Sequence, residues 1–394
     1  MHVSRASLFE ILRVSFMLGL TSFGGPVAHL GYFREEYVRR RQWIDERSYA
    51  DSVALCQFLP GPASSQVGIG IGYRRGGIPG AVLAWLGFTL PSALALALFA
   101  YLCQGWDVTD AGWIHGLKLA AVAIVAQAVW GMGKSLAPNG GRAAIAIVTC
   151  AATLLVGSAL GQIVLIAAAG LVGMIYYKDI SDTDSTTATS SPAPHARLAA
   201  GCLFLFFGLL VILPVLRNMF ASPWLAIFDS FYRSGALVFG GGHVMLPLLE
   251  KEVVPAGWMT EAQFLAGYGA TQAIPGPLST FAAYLGFMIH GWGGAAVATI
   301  AIFLPAFLLV MGALPFWDVL RRQSQVKAAL TGVNAAVVGI LLAALYDPVW
   351  VSAVRGPEDF ALALALFGAL VFWQLPPWTV VAAAAAGGML FTLY

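Results

Sequence analysis

Two Pro-Gly-Pro motifs, each followed by hydroxyl side chains, have the residue types that bind an anion. Residues 60–62 precede Ala63-Ser64-Ser65, and residues 275–277 precede Leu278-Ser279-Thr280. Because two such prolines do not fit inside one continuous helix, we predict that a helix ends before each motif and that another begins with its second proline. The free N–H groups and the hydroxyl groups at the start of such a half-helix favour an anion.

Glycine runs and glutamines at matching places extend this predicted site. Residues 24–25 and 240–242 are glycines, which permit sharp turns and close approach of a ligand. Gln57 and Gln272 each stand three residues before a Pro-Gly-Pro motif, where their amide groups can donate hydrogen bonds into the break. His243 fits an anion donor, a proton relay or a neutral core histidine, and the sequence leaves these three open. The predicted anion-binding residues are Gly24, Gly25, Gln57, Pro60, Gly61, Pro62, Ala63, Ser64, Ser65, Gly241, Gly242, His243, Gln272, Pro275, Gly276, Pro277, Ser279 and Thr280.

These motifs belong to two copies of one apolar pattern, at residues 16–91 and 231–305. Trp43 and Trp258 are 215 residues apart (258 minus 43), and the two Pro-Gly-Pro motifs have the same separation. A doubled apolar unit that Gly and Pro interrupt at matching places is typical of a secondary transporter and marks its binding site. One such break alone indicates a kinked helix, whereas four breaks at symmetric places favour a binding site.

The composition places the chain in a membrane. Hydrophobic residues make up 59% of the 394 residues and charged residues only 10%, against about 25% charged residues in a soluble protein. A net charge of +2 gives no indication of nucleic acid binding. The four cysteines lie far apart without a CxxC motif, so we expect no metal site and no cofactor.

The apolar segments predict an all-α integral membrane protein, an inverted-topology repeat transporter with broken or re-entrant helices. We divide it into an N-terminal repeat (1–178), a polar cytoplasmic tether (179–197), a linking transmembrane helix (198–216) and a C-terminal inverted repeat (217–394). An odd number of crossings between the copies inverts the second copy. Thirteen segments are predicted, at 8–31, 48–73, 78–103, 112–133, 142–157, 158–177, 198–216, 223–249, 262–289, 291–316, 328–346, 359–374 and 377–394.

Basic residues fix the sides of the membrane. Lys134 and Arg142 flank one loop, and Arg321, Arg322 and Lys327 crowd another, so both loops should face the cytoplasm. The N-terminus is then cytoplasmic and the C-terminus lies outside. Five arginines within residues 32–47 stay inside only if segment 8–31 dips into the membrane and returns. We therefore favour re-entrant hairpins at 8–31, 48–73, 223–249 and 262–289, and thirteen full spans are the alternative.

The same motifs carry a resemblance to a known family. Residues 20–29 (Leu-Thr-Ser-Phe-Gly-Gly-Pro-Val-Ala-His), 56–62, 240–244 and 272–277 closely resemble the bacterial chromate ion transporter family, in its long form with two fused halves. The copies differ, since Pro26 corresponds to Gly242, so the two half-sites are expected to be unequal.

This resemblance implies a bacterial inner-membrane exporter of chromate that confers chromate resistance, with sulfate as a related oxyanion. Its partners are then chromate, sulfate and the lipid bilayer, and a homodimer stays open. Two other functions are weighed: a sulfate or other oxyanion carrier that takes chromate as a mimic, and an intramembrane enzyme. The sequence contains no HExxH and no G-x-S-x-G motif, so the enzyme is the weakest of the three.

Overall fold

A computed structural model describes residues 5–23, 25–104, 112–156, 159–177, 196–239, 242–317 and 323–391, and these residues are helical or irregular throughout. The helices of the first half and the linking helix are α1 (Arg5–Thr21), α2 (Gly25–Phe33), α3 (Glu46–Phe58), α4 (Ala63–Gln104), α5 (Gly112–Leu136), α6 (Gly140–Val156), α7 (Ala159–Tyr176) and α8 (Ala196–Met219). Those of the second half are α9 (Pro223–Ala236), α10 (Met245–Val253), α11 (Glu261–Ala273), α12 (Phe281–Ala313), α13 (Ser324–Ala344), α14 (Pro357–Val371) and α15 (Pro377–Phe391).

Shorter helical pieces join some of these elements. A π-helical stretch continues α2 (Arg34–Arg40), 3-10 turns precede α10 (Gly242–Val244) and α12 (Leu278–Thr280), and helical turns follow α13 (Leu345–Trp350 and Val351–Ala353). The predicted residues Gly24 and Gly241, most of the tether, and the loop bases Arg321 and Arg322 lie outside the described residues.

The helices form an all-α integral membrane protein. Five of the described helical stretches are long and apolar enough to cross a bilayer, namely Ala63–Cys103, Gly112–Leu136, Arg197–Met219, Leu278–Phe316 and Ser324–Ala353. Large apolar side chains also cover the outer surface, such as Leu155 (87% exposed) and Phe204 (82% exposed). Water does not favour such a surface, but lipid does. The chain is therefore a multi-pass membrane protein.

All four predicted breaks are present, and several of the helices beside them are short. The helical conformation is interrupted between α1 and α2, between α3 and α4, between α9 and α10, and between α11 and α12. Helices α3 and α11 have 13 residues each, a length of about 20 Å, whereas the hydrocarbon core is about 30 Å thick. None of these short helices crosses the membrane alone.

Local sequence fixes where α3 and α11 begin. The Asp45 side chain accepts a hydrogen bond from the Ser48 amide at the start of α3. Thr260 and Gln263 form a reciprocal capping box at the start of α11.

Helices α4 and α12 each reverse direction at a glycine. Gly77 (φ +62°, ψ −153°) in α4 and Gly291 (φ +61°, ψ −153°) in α12 have nearly the same backbone conformation. Gly72 lies against the backbone of Gly80, although residues eight apart in a straight helix are about 12 Å apart along its axis. The N-terminal part of α4 is therefore a separate half-helix that folds back on the rest, as the predicted division between 48–73 and 78–103 requires.

The two halves interleave instead of packing as separate units. Gly116 of α5, in the first half, lies against the backbone of Ala384 of α15, in the second. The equivalent Gly332 of α13 lies against the backbone of Ala169 of α7. The two contacts are equivalent when the halves are exchanged, as expected for two halves that a two-fold axis relates.

An ion-pair network stands beside the loop tryptophan of each copy. In the first copy, Glu10 pairs with Arg41 at 2.9 Å and with Arg75 at 3.1 Å. The Arg75 guanidinium lies 4.4 Å from the ring centre of Trp43. The arginines of residues 34–41 also pair with Glu35, Glu36 and Glu46, so glutamates compensate much of this basic cluster.

The second network is more deeply buried. Arg233 pairs with Asp229 at 3.0 Å and with Glu252 at 2.7 Å, and Asp229 is fully buried. Arg217 completes the network by pairing with Asp229 at 3.2 Å. Arg233 is thus held by two carboxylates inside the protein.

Candidate anion-binding site

The breaks of one copy are hydrogen-bonded to the breaks of the other. The Gly61 amide donates to the Val238 carbonyl at 2.6 Å, and the Gly276 amide donates to the Ser22 carbonyl at 2.9 Å. Both glycines have positive φ, +122° for Gly61 and +105° for Gly276, a conformation that a residue with a Cβ rarely adopts. The Pro-Gly-Pro motifs thus join the two copies at the centre of the fold.

The start of α4 has the half-helix geometry that the sequence predicts, displaced by one residue. The first backbone bond of the helix runs from the Gln66 amide to the Pro62 carbonyl. Pro62 is therefore the residue before the helix and not its first residue, which corrects the prediction. The amides of Ala63, Ser64 and Ser65 precede the bonded part of the helix, so they remain available to an acceptor.

Two buried groups surround this helix start. Nδ1 of His29 lies 3.3 Å from Oγ of Ser64, and both residues are almost completely buried. The Ser65 hydroxyl is buried without a hydrogen-bond partner. An unpaired buried hydroxyl is costly, and a bound oxyanion would remove this cost.

The second copy begins its half-helix differently. Residues 278–280 form a 3-10 turn after Pro277, and the Thr280 hydroxyl donates to the Pro277 carbonyl at 2.7 Å. This bond occupies the hydroxyl proton of Thr280, so the two helix starts offer different donors. The amide nitrogen of Gln272 is buried without a partner, so it is a free donor beside this break.

A cavity of about 750 Å³ opens beside the first Pro-Gly-Pro motif. Gln57, Gly61, Ala63 and His243 line it, and these four residues come from both copies. Its remaining lining is Pro26, Leu30, Cys56, Leu59, Gln127, Ala128, Gly131, Met132, Ser135, Leu136 and Asn334. No acidic, lysine or arginine side chain occurs among these described lining residues. The cavity offers an oxyanion neutral donors in apolar surroundings.

The other predicted residues that the structure describes are not among the residues that line this cavity. Ser64 and Ser65 are buried next to Ala63 at the helix start, and Gly276 of the second copy contacts Ser22 and Ser92. The structure thus brings the two copies together through Gly61 and His243, but it does not form one symmetric site.

Four residues that sequence reasoning did not select contribute to the site. Gln66 donates to the Pro60 carbonyl at 2.7 Å and so bridges the break. Gln127 and Asn334 line the cavity from α5 and α13, and His29 contacts Ser64. Polar residues inside apolar helices were the only signal for them. His243 contacts the Tyr268 hydroxyl at 2.8 Å through Nδ1, which leaves Nε2 for another partner.

Comparison with known proteins assigns the chain to a family. The chromate transporter family model matches residues 9–174 and 225–389, one match in each half. A chromate transport protein of Pseudomonas aeruginosa is 30% identical over 379 residues, which cover 94% of this chain and 88% of that protein. A chromate transport protein of Cupriavidus metallidurans is 29% identical, with 97% and 93% covered.

A probable chromate transport protein of Synechococcus elongatus is 28% identical over 417 residues, which cover 95% of this chain and 98% of that protein. No solved structure matches the chain. The matches extend over both repeats and include the breaks that form the cavity. The chain belongs to the chromate transporter family.

Proposed function

We propose that this protein exports chromate from the cytoplasm across the bacterial inner membrane and thereby confers chromate resistance. The observation that carries the proposal is the cavity of about 750 Å³ at the start of α4, with neutral donors and no charged side chain among its described lining residues. The relatives that cover nearly the whole chain are named chromate transport proteins. We further propose that the protein moves its substrate across the membrane without converting it chemically.

Neutral donors suit a carrier of a tetrahedral dianion. The backbone amides at the start of α4 and the amides of Gln57, Gln127 and Asn334 can replace water around the oxygens of chromate. An arginine cage would add full charges and hold a dianion strongly. A transporter must also release its substrate, so a cavity without fixed positive charge favours turnover.

The membrane potential supplies a driving force in the export direction. One charge that crosses 100 mV gains about 2.3 kcal/mol, so a dianion that leaves a negative interior gains about 4.6 kcal/mol. This energy corresponds to a concentration ratio of roughly 10³. Uptake of the same ion would have to overcome this energy by coupling to another ion.

The cavity faces the side that basic residues assign to the cytoplasm. Ser135 and Leu136 line the cavity at the end of α5. Lys134 precedes them and Arg142 follows, and positively charged loops favour the cytoplasm. This placement supports a cytoplasmic N-terminus, an outer C-terminus and entry of the substrate from the cytoplasm.

Radioactive chromate uptake into everted membrane vesicles with an imposed potential tests the function. The wild-type protein should accumulate chromate in proportion to the potential, and vesicles that lack the protein should not. Movement of sulfate without chromate would keep the anion site but make the protein a sulfate carrier. The absence of both fluxes would overturn the proposal.

A further inference from the structure

A second cavity, much smaller at about 50 Å³, lies between α6 and α7 of the first half and α10 and α13 of the second. Glu250 and Lys251 of α10, Gln162 of α7 and Thr153 of α6 line it, with Asp347 at the turn after α13. Glu250 is 6% exposed, whereas Asp347 is exposed to solvent. Glu250 is thus a carboxyl at the buried end of a small polar cavity.

Three polar atoms of the residues that line this cavity lack hydrogen-bond partners. Oε2 of Glu250, Oε1 of Gln162 and Oγ1 of Thr153 are all buried without one. The Lys251 ammonium lies 3.5 Å from Oε2 of Glu250, an ion pair that is too long for a good hydrogen bond. An ionised Glu250 only accepts hydrogen bonds, as does Oε1 of Gln162. Two acceptors therefore share a cavity that has room for about one water molecule.

The position of the cavity within the repeat ties it to transport. Ala343, Ala344 and Asp347 line it, and each stands 216 residues after a residue of the large cavity (343 minus 127, 344 minus 128 and 347 minus 131). The part of the small cavity that residues 343–347 form therefore corresponds to the part of the large cavity that residues 127–131 form. In inverted-repeat transporters the two copies exchange conformations as access alternates between the two sides.

The carboxyl is particular to the second copy. The residue equivalent to Glu250 in the first copy is Arg34 (250 minus 216), which is exposed and pairs with Glu46 at 2.6 Å. The large cavity has no carboxyl among its described lining residues, so the buried carboxyl distinguishes the small cavity from it.

We propose that Glu250 is a proton-binding site, and that its protonation is coupled to movement of the transported anion. The step is an acid–base equilibrium: a proton from water on the Asp347 side forms an O–H bond at Oε2, and the same proton later returns to water. The new O–H group then donates to Oε1 of Gln162, directly or through one water, which pairs both acceptors.

The charged groups around Glu250 are few. Lys251 and Asp347 line the same cavity, and Glu261 acts on Glu250 through space from the start of α11. Of the charged groups of α9, Arg233 pairs with Glu252 of α10 and with Asp229 of its own helix. Glu250 and Asp347 contribute two negative charges to the cavity and Lys251 contributes one positive charge. A proton bound to Glu250 balances these charges.

The first test measures the proton site without transport. We would record infrared spectra of the full-length protein in liposomes during a pH titration and follow the C=O band of protonated carboxyl groups. The wild type should show a band that is present near neutral pH and lost at higher pH. Glu250→Gln should remove it, and the exposed Glu358→Gln should not. An unchanged spectrum in Glu250→Gln, or displacement of the band by sodium at constant pH, would overturn the site.

The second test rests on the proposed function and measures coupling. Liposomes with a pH-sensitive dye inside would report proton movement during chromate flux at a clamped potential. We expect protons to move with chromate in the wild type, and at least tenfold fewer protons per chromate in Glu250→Gln. Gln162→Leu is a second variant, because it removes the acceptor and leaves the carboxyl in place, and it should reduce the ratio as well.

The two ways of failing can be told apart. Chromate flux without proton movement in the wild type would overturn the coupling and leave the exporter intact. No chromate flux in the wild type would overturn the exporter and the coupling with it, and the infrared titration would still decide the proton site alone.

Discussion

The amide of Gly61 donates a 2.6 Å hydrogen bond to the carbonyl of Val238, across the boundary between the two copies. The bond from Gly276 to Ser22 repeats it with the copies exchanged. A helix break leaves backbone groups without partners inside the membrane, where each costs several kcal/mol. Here each copy supplies a carbonyl that accepts a hydrogen bond from the break of the other copy, so each break depends on its counterpart for stability.

Replacement of Gly61 by alanine should destabilise the protein and stop transport. The positive φ of Gly61 strains any residue with a Cβ, and that Cβ would lie 2.7 Å from Nε2 of Gln66. We expect a loss of about 2 kcal/mol, read as a lower Tm in detergent, and at least a tenfold loss of chromate flux. Gly201→Ala is the control because no atom lies within 4 Å of its Cβ position. Equal Tm values for the two variants would contradict the role of Gly61.

The hydroxyl groups of Ser65 and Thr280 should contribute unequally. Ser65→Ala removes a buried hydroxyl that has no partner within the protein, whereas the Thr280 hydroxyl donates to the Pro277 carbonyl. A hydrogen bond to a charged group contributes about 1.5–3 kcal/mol, so we expect the KM for chromate to rise at least tenfold in Ser65→Ala. Thr280→Ala should change KM less than twofold. If neither substitution changes transport, the helix start of α4 is not the binding site.

The amides that face the large cavity should determine substrate affinity. Gln127→Leu and Asn334→Leu each remove a neutral donor while keeping similar volume. Initial rates in everted vesicles should show a KM for chromate about tenfold higher in either variant. Gln323→Ala, before α13 and without a capping bond, is the matched control. A wild-type KM in both cavity variants would place the substrate elsewhere.

The buried ion pairs of the second copy should matter more than exposed ones. Arg233→Ala leaves the fully buried Asp229 and the nearly buried Glu252 short of positive charge, and removal of one partner from a buried pair costs about 3–5 kcal/mol. Arg34→Ala breaks a pair whose two side chains are 48% and 56% exposed, so it should cost less than about 1 kcal/mol. Unfolding curves in detergent decide this, and a similar loss in both variants would contradict it.

Cysteine labelling tests the membrane orientation. Arg39 is exposed on the segment that follows α2, and re-entry of α1 and α2 predicts that this segment is cytoplasmic. Arg39→Cys, in a protein with its four cysteines replaced by serine, should react with an impermeant maleimide in everted vesicles and not in intact cells. Reaction in intact cells would instead support a full crossing by residues 8–31.

Local signals in the sequence predicted the breaks but not the shape of the cavity. Proline removes a backbone donor and glycine permits positive φ wherever they occur, so the Pro-Gly-Pro breaks were predictable and are confirmed. The sequence also predicted all the helices between the breaks, because length and apolar composition alone identify a membrane helix.

Contacts between distant helices were beyond such signals. Gln127 and Asn334 are single polar residues in apolar helices, and only the interleaved packing of the two halves brings them to one cavity. The Thr280 hydroxyl has the same sequence setting as that of Ser65, yet a 3-10 turn gives it a backbone partner. No local sequence pattern indicates the 3-10 turn at residues 278–280 or the packing of the two halves.

The interleaving of the halves also has a consequence for biogenesis. Gly116 and Ala169 of the first half pack closely against α15 and α13 of the second half. At a synthesis rate of about 5–20 residues per second, the ribosome needs roughly ten to forty seconds after α7 to complete α15. During that time the first half lies in the lipid without the helices α13 and α15 that later pack against it. The two halves therefore assemble after insertion of the first half, and the packing of α15 completes this assembly.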